Sequence, residues 1–513
     1  MRMPVILPRV RGFACCGALL FSMLVPASGA GSAAAEAKPL WVVVTTPTLS
    51  ESLKPLVDKR GKDGFETQVL TQPIDKAVKA FARRPSYLLI VGDWAQGKER
   101  MPWFVASKRV QAYQWRSDQP KEYLSDVLWG DLNGDGAPEI PVGRIPARTA
   151  EDVKLCVDKI LAWERHEPTV DDLRMPVWTG APCFGPEIDS LAVTQSIEVM
   201  QNGVPKWAQP TLIAGDVTSP FCGWPAEQAA TYTAELKKGG LIALMMGHGS
   251  REGFFSMAFR NTPFGYDGRA AAQLDKGNPA PPLVIFACYT GDFGGSGACI
   301  AESLCGMAGG PVAVIAATTE SHPLTNYFAG TCILQQLSGK ARRLGDLWLA
   351  TQRASMKVDD PAVEQLLLGV ESKGDQQIDK EKLRRDHMLM YEIIGDPATA
   401  IMIPQPMEAT IKRDGAKWRW TATKPAGATK LFVGLRQARE IPEAPQELEA
   451  AQAKKTFAAA NSALAFTALA SPEAGKPWQG TIDKPGTVRL VATGPGVLKV
   501  AVLDAEPEPG KGN

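Results

Sequence analysis

The chain has 513 residues, 45% hydrophobic and 22% charged, the composition of ordinary globular protein and a length suited to about three domains. A formal net charge of +1 supplies no field to attract nucleic acid or an anionic membrane surface, and neither partner is expected.

Arg2, Arg9 and Arg11 precede an apolar stretch, Phe13 to Val25, and mostly small residues follow through Ala37. That order reads as a secretory signal peptide over residues 1–37, with candidate cleavage after Ala30, Ala35 or Ala37. Its apolar core is short for a membrane span, and no second stretch of spanning length follows. The expectation is a secreted, periplasmic or envelope protein with no integral membrane segment once the signal is removed. Two of the nine cysteines leave with the signal. The seven that remain are Cys156, Cys183, Cys222, Cys288, Cys299, Cys305 and Cys332, an odd number that leaves at least one thiol free or paired between molecules. Their spacings fit no standard zinc pattern.

From Leu40 the pattern is α/β. Trp41–Val44, Glu66–Leu70 and Tyr87–Val91 read as strands, with helices over Ser50–Lys59 and Asp75–Arg83, as in a parallel, helix-covered sheet. The irregular stretch Asp126 to Arg144 contains Asp131-Leu132-Asn133-Gly134-Asp135-Gly136, the first half of a calcium loop: oxygen side chains at alternate positions, then glycine for the turn. Glu139 falls at the ninth position, and Val142 stands where the bidentate glutamate would be. The choice is between a structural calcium ion held by Asp131, Asn133, Asp135 and Glu139 and a polar turn without one. Thr149 then opens a helix with Asp152 as capping-box partner and an apolar stripe of Val153, Cys156, Val157, Ile160 and Trp163.

A second α/β unit begins at Val177–Thr179. Its helices are expected over Leu191–Gln201, Ala226–Lys238, Ala298–Met307, Phe328–Leu337, Leu344–Lys357 and Glu381–Tyr391. Its strands are expected over Thr211–Ala214, Leu241–Met246, Leu283–Ala287, Val312–Ala317 and, after the turn Gly395-Asp396-Pro397, Ala398–Ile403. The boundaries implied are 38–168 and 169–403. Beyond Pro404, period-2 alternation in Glu408–Trp420, Lys430–Leu435 and Val488–Leu503 reads as a small β-sandwich over 404–505, followed by a disordered tail over 506–513.

Catalytic residue types gather between Leu241 and Gly291. One apolar run breaks into Gly247-His248-Gly249-Ser250 and a second into Cys288-Tyr289-Thr290-Gly291. The segment between them is long enough for a crossover, with Arg269–Leu274 as its helical part. If the two strands are neighbours, His248 and Cys288 lie side by side at carboxyl ends, where open α/β sheets bind ligands. An imidazole beside a thiol lowers the thiol pKa and makes a nucleophile.

Gly247-His248-Gly249-Ser250 and Ala287-Cys288-x-x-Gly291-Asp292-Phe293 resemble the gingipain family of cysteine endopeptidases, in the caspase-like group. Cys299–Leu304, Gly310–Thr319, Asp126, Asp131–Asp135, Gly143-Arg144-Ile145-Pro146, Lys159–Glu164 and Tyr391–Pro397 extend the resemblance over roughly Leu40 to Met402. It implies a caspase-like parallel-sheet peptidase domain in two α/β subdomains, followed by an immunoglobulin-like β-sandwich. It further implies Cys288 as nucleophile, His248 as base, the amides of Gly249 and Cys288 as oxyanion hole, and a protein or peptide substrate. The family takes an imidazole-orienting acid from the loop here spanning Cys183–Asp189, where Glu187 is the candidate. Asp189 matches an acid of the family's S1 pocket, which would favour a basic P1 residue; alternatively it caps the following helix. The competing function, from a different class, is an inactive relative serving as a calcium-stabilised binding or surface module.

Overall fold

Apolar runs without a polar residue become strands covered on both faces. In Leu40–Val44, Trp41 and Val43 pack with Leu53, Leu56, Val153, Val157 and Ile160, whereas Leu40, Val42 and Val44 pack with Ile74 and Ala77 on the other side. In Leu283–Phe286, Leu283 and Ile285 likewise face one cluster and Val284 and Phe286 another. Successive side chains of a strand point to opposite faces, so both must be apolar when helices cover each. The computed structural model describes residues 37–506 except 82, 182–184, 372–377, 438–440, 446, 463 and 474–475. The expected signal sequence up to residue 36, Cys183 and the tail from residue 507 lie outside the described residues.

Ten strands form one sheet, in the order Glu66–Leu70, Leu40–Val44, Tyr87–Val91, Val142–Ile145, Tyr391–Ile394, Val314–Ala317, Leu283–Phe286, Ala243–Met246, Arg174–Thr179 and Gln209–Ala214. Every neighbouring pair is parallel except Tyr391–Ile394 with Val314–Ala317. Two five-stranded parallel halves therefore meet back to front, and the late strand Tyr391–Ile394 completes the half built from upstream residues.

One expectation is corrected here, and one hairpin is added to what the sequence predicts. Ala398–Ile403 is not a strand; the strand lies before the Gly395-Asp396-Pro397 turn, at Tyr391–Ile394. It follows the Lys380–Met390 helix directly, and Glu392 at its centre hides the apolar run. The segment between the His and Cys strands is mainly β: Gly253–Phe259 pairs antiparallel with both His248–Ser250 and Thr262–Asp267, and only then come the helical turns of Gly268–Leu274. Arg260 and Asn261 close this hairpin with positive φ (50° and 63°), as a two-residue turn between right-twisted strands requires.

The capping box at Thr149 is present, Thr149 and Asp152 each accepting the other's backbone N–H, and the helix runs over Ala150–Glu164. On the strand Val142–Ile145, Arg144 is wholly buried and pairs with buried Asp126 at 2.5 and 2.9 Å. The same guanidinium donates to the carbonyls of Gly92, Val105 and Ala106 and lies 5.2 Å from the Phe293 ring centre.

The C-terminal residues form two sheets, one of five strands and one of three, as the alternation predicts. Trp420, Ala422 and Trp478 from one sheet pack against Leu431, Val488, Leu490 and Ala492 from the other. A helix, Ala450–Ala460, leaves the sandwich and reaches the edge strand Gln209–Ala214. There Asn461 accepts the Leu212 N–H at 2.8 Å and donates to the Leu212 carbonyl at 2.9 Å. An exposed strand edge is a template for unwanted pairing; this side chain occupies part of it.

Candidate active site

Strands Ala243–Met246 and Leu283–Phe286 pair in parallel, with Met246 opposite Phe286. His248 and Cys288 each stand two residues beyond that matched pair, so the register brings both to the same end of adjacent strands. Gly247 donates to the Phe286 carbonyl at 3.1 Å and holds the two chains together as they leave the sheet. Gly249 lies against the Cys288 backbone: a Cβ there would stand 2.7 Å from the Cys288 carbonyl oxygen and 2.8 Å from the Ala287 Cβ. Only glycine fits that approach without displacing the cysteine.

The chain turns sharply after Cys288. Tyr289 holds φ +60°, a strained conformation for a non-glycine residue. The Tyr289 amide donates to the Thr319 carbonyl at 3.0 Å and the Gly291 amide to the Ala317 carbonyl at 2.8 Å. The turn is thereby pinned to the end of the next strand, and Cys288 sits partly exposed at its apex. Cys288 Sγ lies 3.4 Å from the Ser321 amide, 3.5 Å from its carbonyl and 3.7 Å from its hydroxyl. From the other side Arg251, just after the His248 strand, pairs with Asp292 at 3.1 Å and donates to the Gly297 carbonyl at 2.6 Å. Its own carbonyl accepts the Ile300 N–H at 2.7 Å. One arginine thus clasps the histidine loop to the loop that follows the cysteine.

The other thiols and imidazoles are differently placed. Cys222, Cys299, Cys305 and Cys332 are buried free thiols, and burial raises each above the ordinary thiol range, Cys222 and Cys305 to about 12 and Cys332 to about 11. Of four histidines, His322 and His387 are buried and pushed down to about 3 by that burial. His166 follows the Ala150–Glu164 helix and its cap Arg165, and pairs with Asp172 at 3.0 Å. His248 is the exposed imidazole at the carboxyl ends of the sheet strands.

The loop after Arg174–Thr179, the strand next to Ala243–Met246, carries the predicted acids. Its helix begins at Pro186, with proline in the first turn, and not at Leu191. Asp189 therefore lies inside the helix, its N–H bonded to the Gly185 carbonyl at 2.9 Å, and is not its N-cap; Gly185 is. The Glu187 side chain lies outside the described residues. Ser321 was not found by sequence reasoning, because it is 33 residues from Cys288 and its contact arises only where the Val314–Ala317 strand ends.

Far along the chain from the pair, carboxylate oxygens of Asp131, Asp135 and Glu139 lie within 4.8 Å of one another. Asp131 accepts from the amides of Gly134 and Gly136 and Glu139 from that of Leu132, which curls the loop around them. Asn133 donates to Asp135 at 3.1 Å and accepts from the Asp135 amide through its own side-chain oxygen. Val142 begins a buried strand, so the twelfth position faces the core and cannot supply a ligand.

The profile of peptidase family C25 matches residues 34–402. Gingipain R2 of Porphyromonas gingivalis is 24% identical over 304 residues, which is 54% of this chain and 36% of that protein. Gingipain R1 of the same organism is also 24% identical over 304 residues, 27% of its length. The match thus takes in well under half of either relative. The crystal structure of the Arg-specific cysteine proteinase gingipain R aligns over 91% of this chain and 98% of its own, with a TM-score of 0.51 at 16% identity. The architecture is accordingly the caspase-like α/β fold of that enzyme.

Proposed function

This chain belongs to peptidase family C25, and on that premise we propose that it is a cysteine endopeptidase whose nucleophile is Cys288 and whose base is His248. The observation that carries the reading is the register of two parallel strands that delivers imidazole and thiol to one edge, with Gly249 packed against the cysteine backbone. His248 takes the thiol proton, and the thiolate attacks the scissile carbonyl carbon. The amides of Gly249 and Cys288 receive the oxyanion. Collapse of the tetrahedral intermediate expels the amine, which takes the proton from His248, and leaves a thioester on Cys288. Water, deprotonated by His248, then attacks the thioester, releases the acid and restores the thiol.

Glu187 is the acid we assign to orienting the imidazole, and Asp189, in the first turn of its helix, the one assigned to a basic P1 side chain. Residues 1–37 read as an export signal, and among the described residues no helix is long and apolar enough to cross a membrane. The working location is therefore outside the cytoplasmic membrane, with a protein or peptide substrate.

The Asp131 loop suits a hard cation: three converging carboxylates and an amide oxygen match the all-oxygen preference of calcium. Asp131, Asn133, Asp135 and Glu139 would hold it, and the ion would relieve the repulsion among their charges. Calcium at a hundredfold excess over its Kd is expected to stabilise the fold by about 2.7 kcal/mol. Thermal unfolding with calcium and with a chelator reads this as a rise in midpoint, absent in Asp131→Ala; equal midpoints in the native chain would remove the ion from the account.

The function itself is tested by a fluorogenic peptide library, offered to native protein and to Cys288→Ala in calcium and a reductant. Cleavage after Arg or Lys that disappears in the variant supports nucleophile and pocket acid together. Cleavage after other residues keeps the nucleophile and removes Asp189 from its role. No cleavage by folded, calcium-loaded protein would favour a binding module.

A further inference from the structure

Behind the reactive thiol lies a row of buried polar groups that the dyad chemistry does not use. The Tyr391 hydroxyl, on the strand at the join of the two half-sheets, donates to Asn326 Oδ1 at 2.7 Å. Asn326 Nδ2 donates to Ser321 Oγ at 2.9 Å, and Ser321 Oγ lies 3.7 Å from Cys288 Sγ. Ser321, Asn326 and Tyr391 are 5%, 6% and 0% exposed, so water does not compete for these bonds.

Their directions follow from donor and acceptor capacity. Ser321 Oγ accepts the amide N–H of Asn326, and its own proton can turn to the sulfur or to the Tyr391 oxygen; a thiolate, the stronger acceptor, draws it to the sulfur. The Ser321 backbone N–H also points at Sγ, at 3.4 Å. One residue therefore places two donors on the sulfur, and the chain behind it is polarised in the same sense, from Tyr391 toward Cys288. Such bonds favour the ionised form of the group that accepts them. In the neutral state the thiol can instead donate to the Ser321 carbonyl at 3.5 Å, so the same residue receives either form.

We propose that Ser321 is a further catalytic residue, which stabilises and aims the Cys288 thiolate, and that Asn326 and Tyr391 act through it as positioning residues. The proposal rests on the reading of Cys288 as nucleophile. The ionisable groups around the thiol are His248 on the neighbouring strand, Tyr289 and Asp292 in its own loop, and Tyr391 beneath. Beside Ser321 stand His322, buried against Trp115, and Glu320, paired with Arg116. Burial keeps His322 neutral and raises the Tyr391 phenol, so neither adds a charge at neutral pH.

The test is the pH dependence of iodoacetamide alkylation at Cys288, read peptide by peptide in a mass spectrometer, which needs no turnover. In the full chain the midpoint should lie well below the ordinary thiol value of about 8.5. Ser321→Ala should raise it by about one to two pH units, the effect of losing a hydrogen bond to a charged group. Tyr391→Phe removes one oxygen and keeps the ring against Phe286 and Trp348; it should move the midpoint the same way by about half a unit, and carries the test if Ser321→Ala does not fold. A depressed native midpoint left unchanged by both variants overturns the relay while leaving the nucleophile. A native midpoint at the ordinary value overturns both.

Discussion

Replacing His248 by alanine is expected to lower kcat/KM for a cleaved peptide by about 10²- to 10⁴-fold, the usual contribution of a positioned general base. The side chain is exposed and lies outside every core cluster, so the unfolding free energy should stay within about 0.5 kcal/mol of the native protein's. That separation makes the variant informative: activity falls while the fold does not. His322 and His387 cannot replace it, since burial holds both neutral and away from solvent. Steady-state kinetics on a peptide from the library, beside a thermal melt, reads both quantities. Activity within tenfold of native in a folded His248→Ala protein would assign the base to another residue.

The largest effect on stability is expected at Arg144. Arg144→Met leaves Asp126 buried with its charge uncompensated and strands the carbonyls of Gly92, Val105 and Ala106. Breaking a buried ion pair from one side typically costs about 3–5 kcal/mol. Glu392 offers no compensation: burial, and then Asp126 beside it, raise its carboxyl well above the usual range. Its Oε1 is already occupied by the Asp126 and Val127 amides. Removing both partners, Arg144→Met with Asp126→Leu, should recover part of the loss, because an apolar pair of similar volume carries no desolvation penalty. Denaturant melts of the two singles and the double complete the cycle. A loss below about 1 kcal/mol in Arg144→Met would mean that the pair is worth no more than a surface salt bridge. The effect reaches the active site too, since Arg144 lies over Phe293 in the loop that follows Cys288.

The parts of this architecture written in local pattern were legible from the sequence. Doubly covered strands need unbroken apolar runs, and Leu40–Val44 and Tyr87–Val91 fall where those runs predict. The nearness of His248 and Cys288 was legible because two apolar runs end just before them, and the strands those runs form do pair in parallel; that Gly249 packs against the Cys288 backbone was not. Tyr391–Ile394 was missed because the buried Glu392 interrupts its apolar run and a helix abuts it; the backbone amides of Asp126 and Val127, distant in sequence, hold that carboxyl. The hairpin after His248 was missed because Arg260-Asn261 lacks the glycine that usually marks such a turn. Ser321, Asn326 and Tyr391 could not be grouped in advance: Tyr391 and Asn326 are 65 residues apart, and only the order of strands brings them behind the thiol.

Covalent trapping reads the identity of the nucleophile without turnover. Native protein and His248→Ala would be incubated with short peptides ending in an aldehyde or acyloxymethyl ketone at P1, and the modified residue located by mass spectrometry. One adduct is expected, on Cys288, formed rapidly in the native protein and much more slowly in the His248 variant. An adduct on another cysteine, or a folded native protein that none of the peptides labels, would contradict Cys288 as the nucleophile.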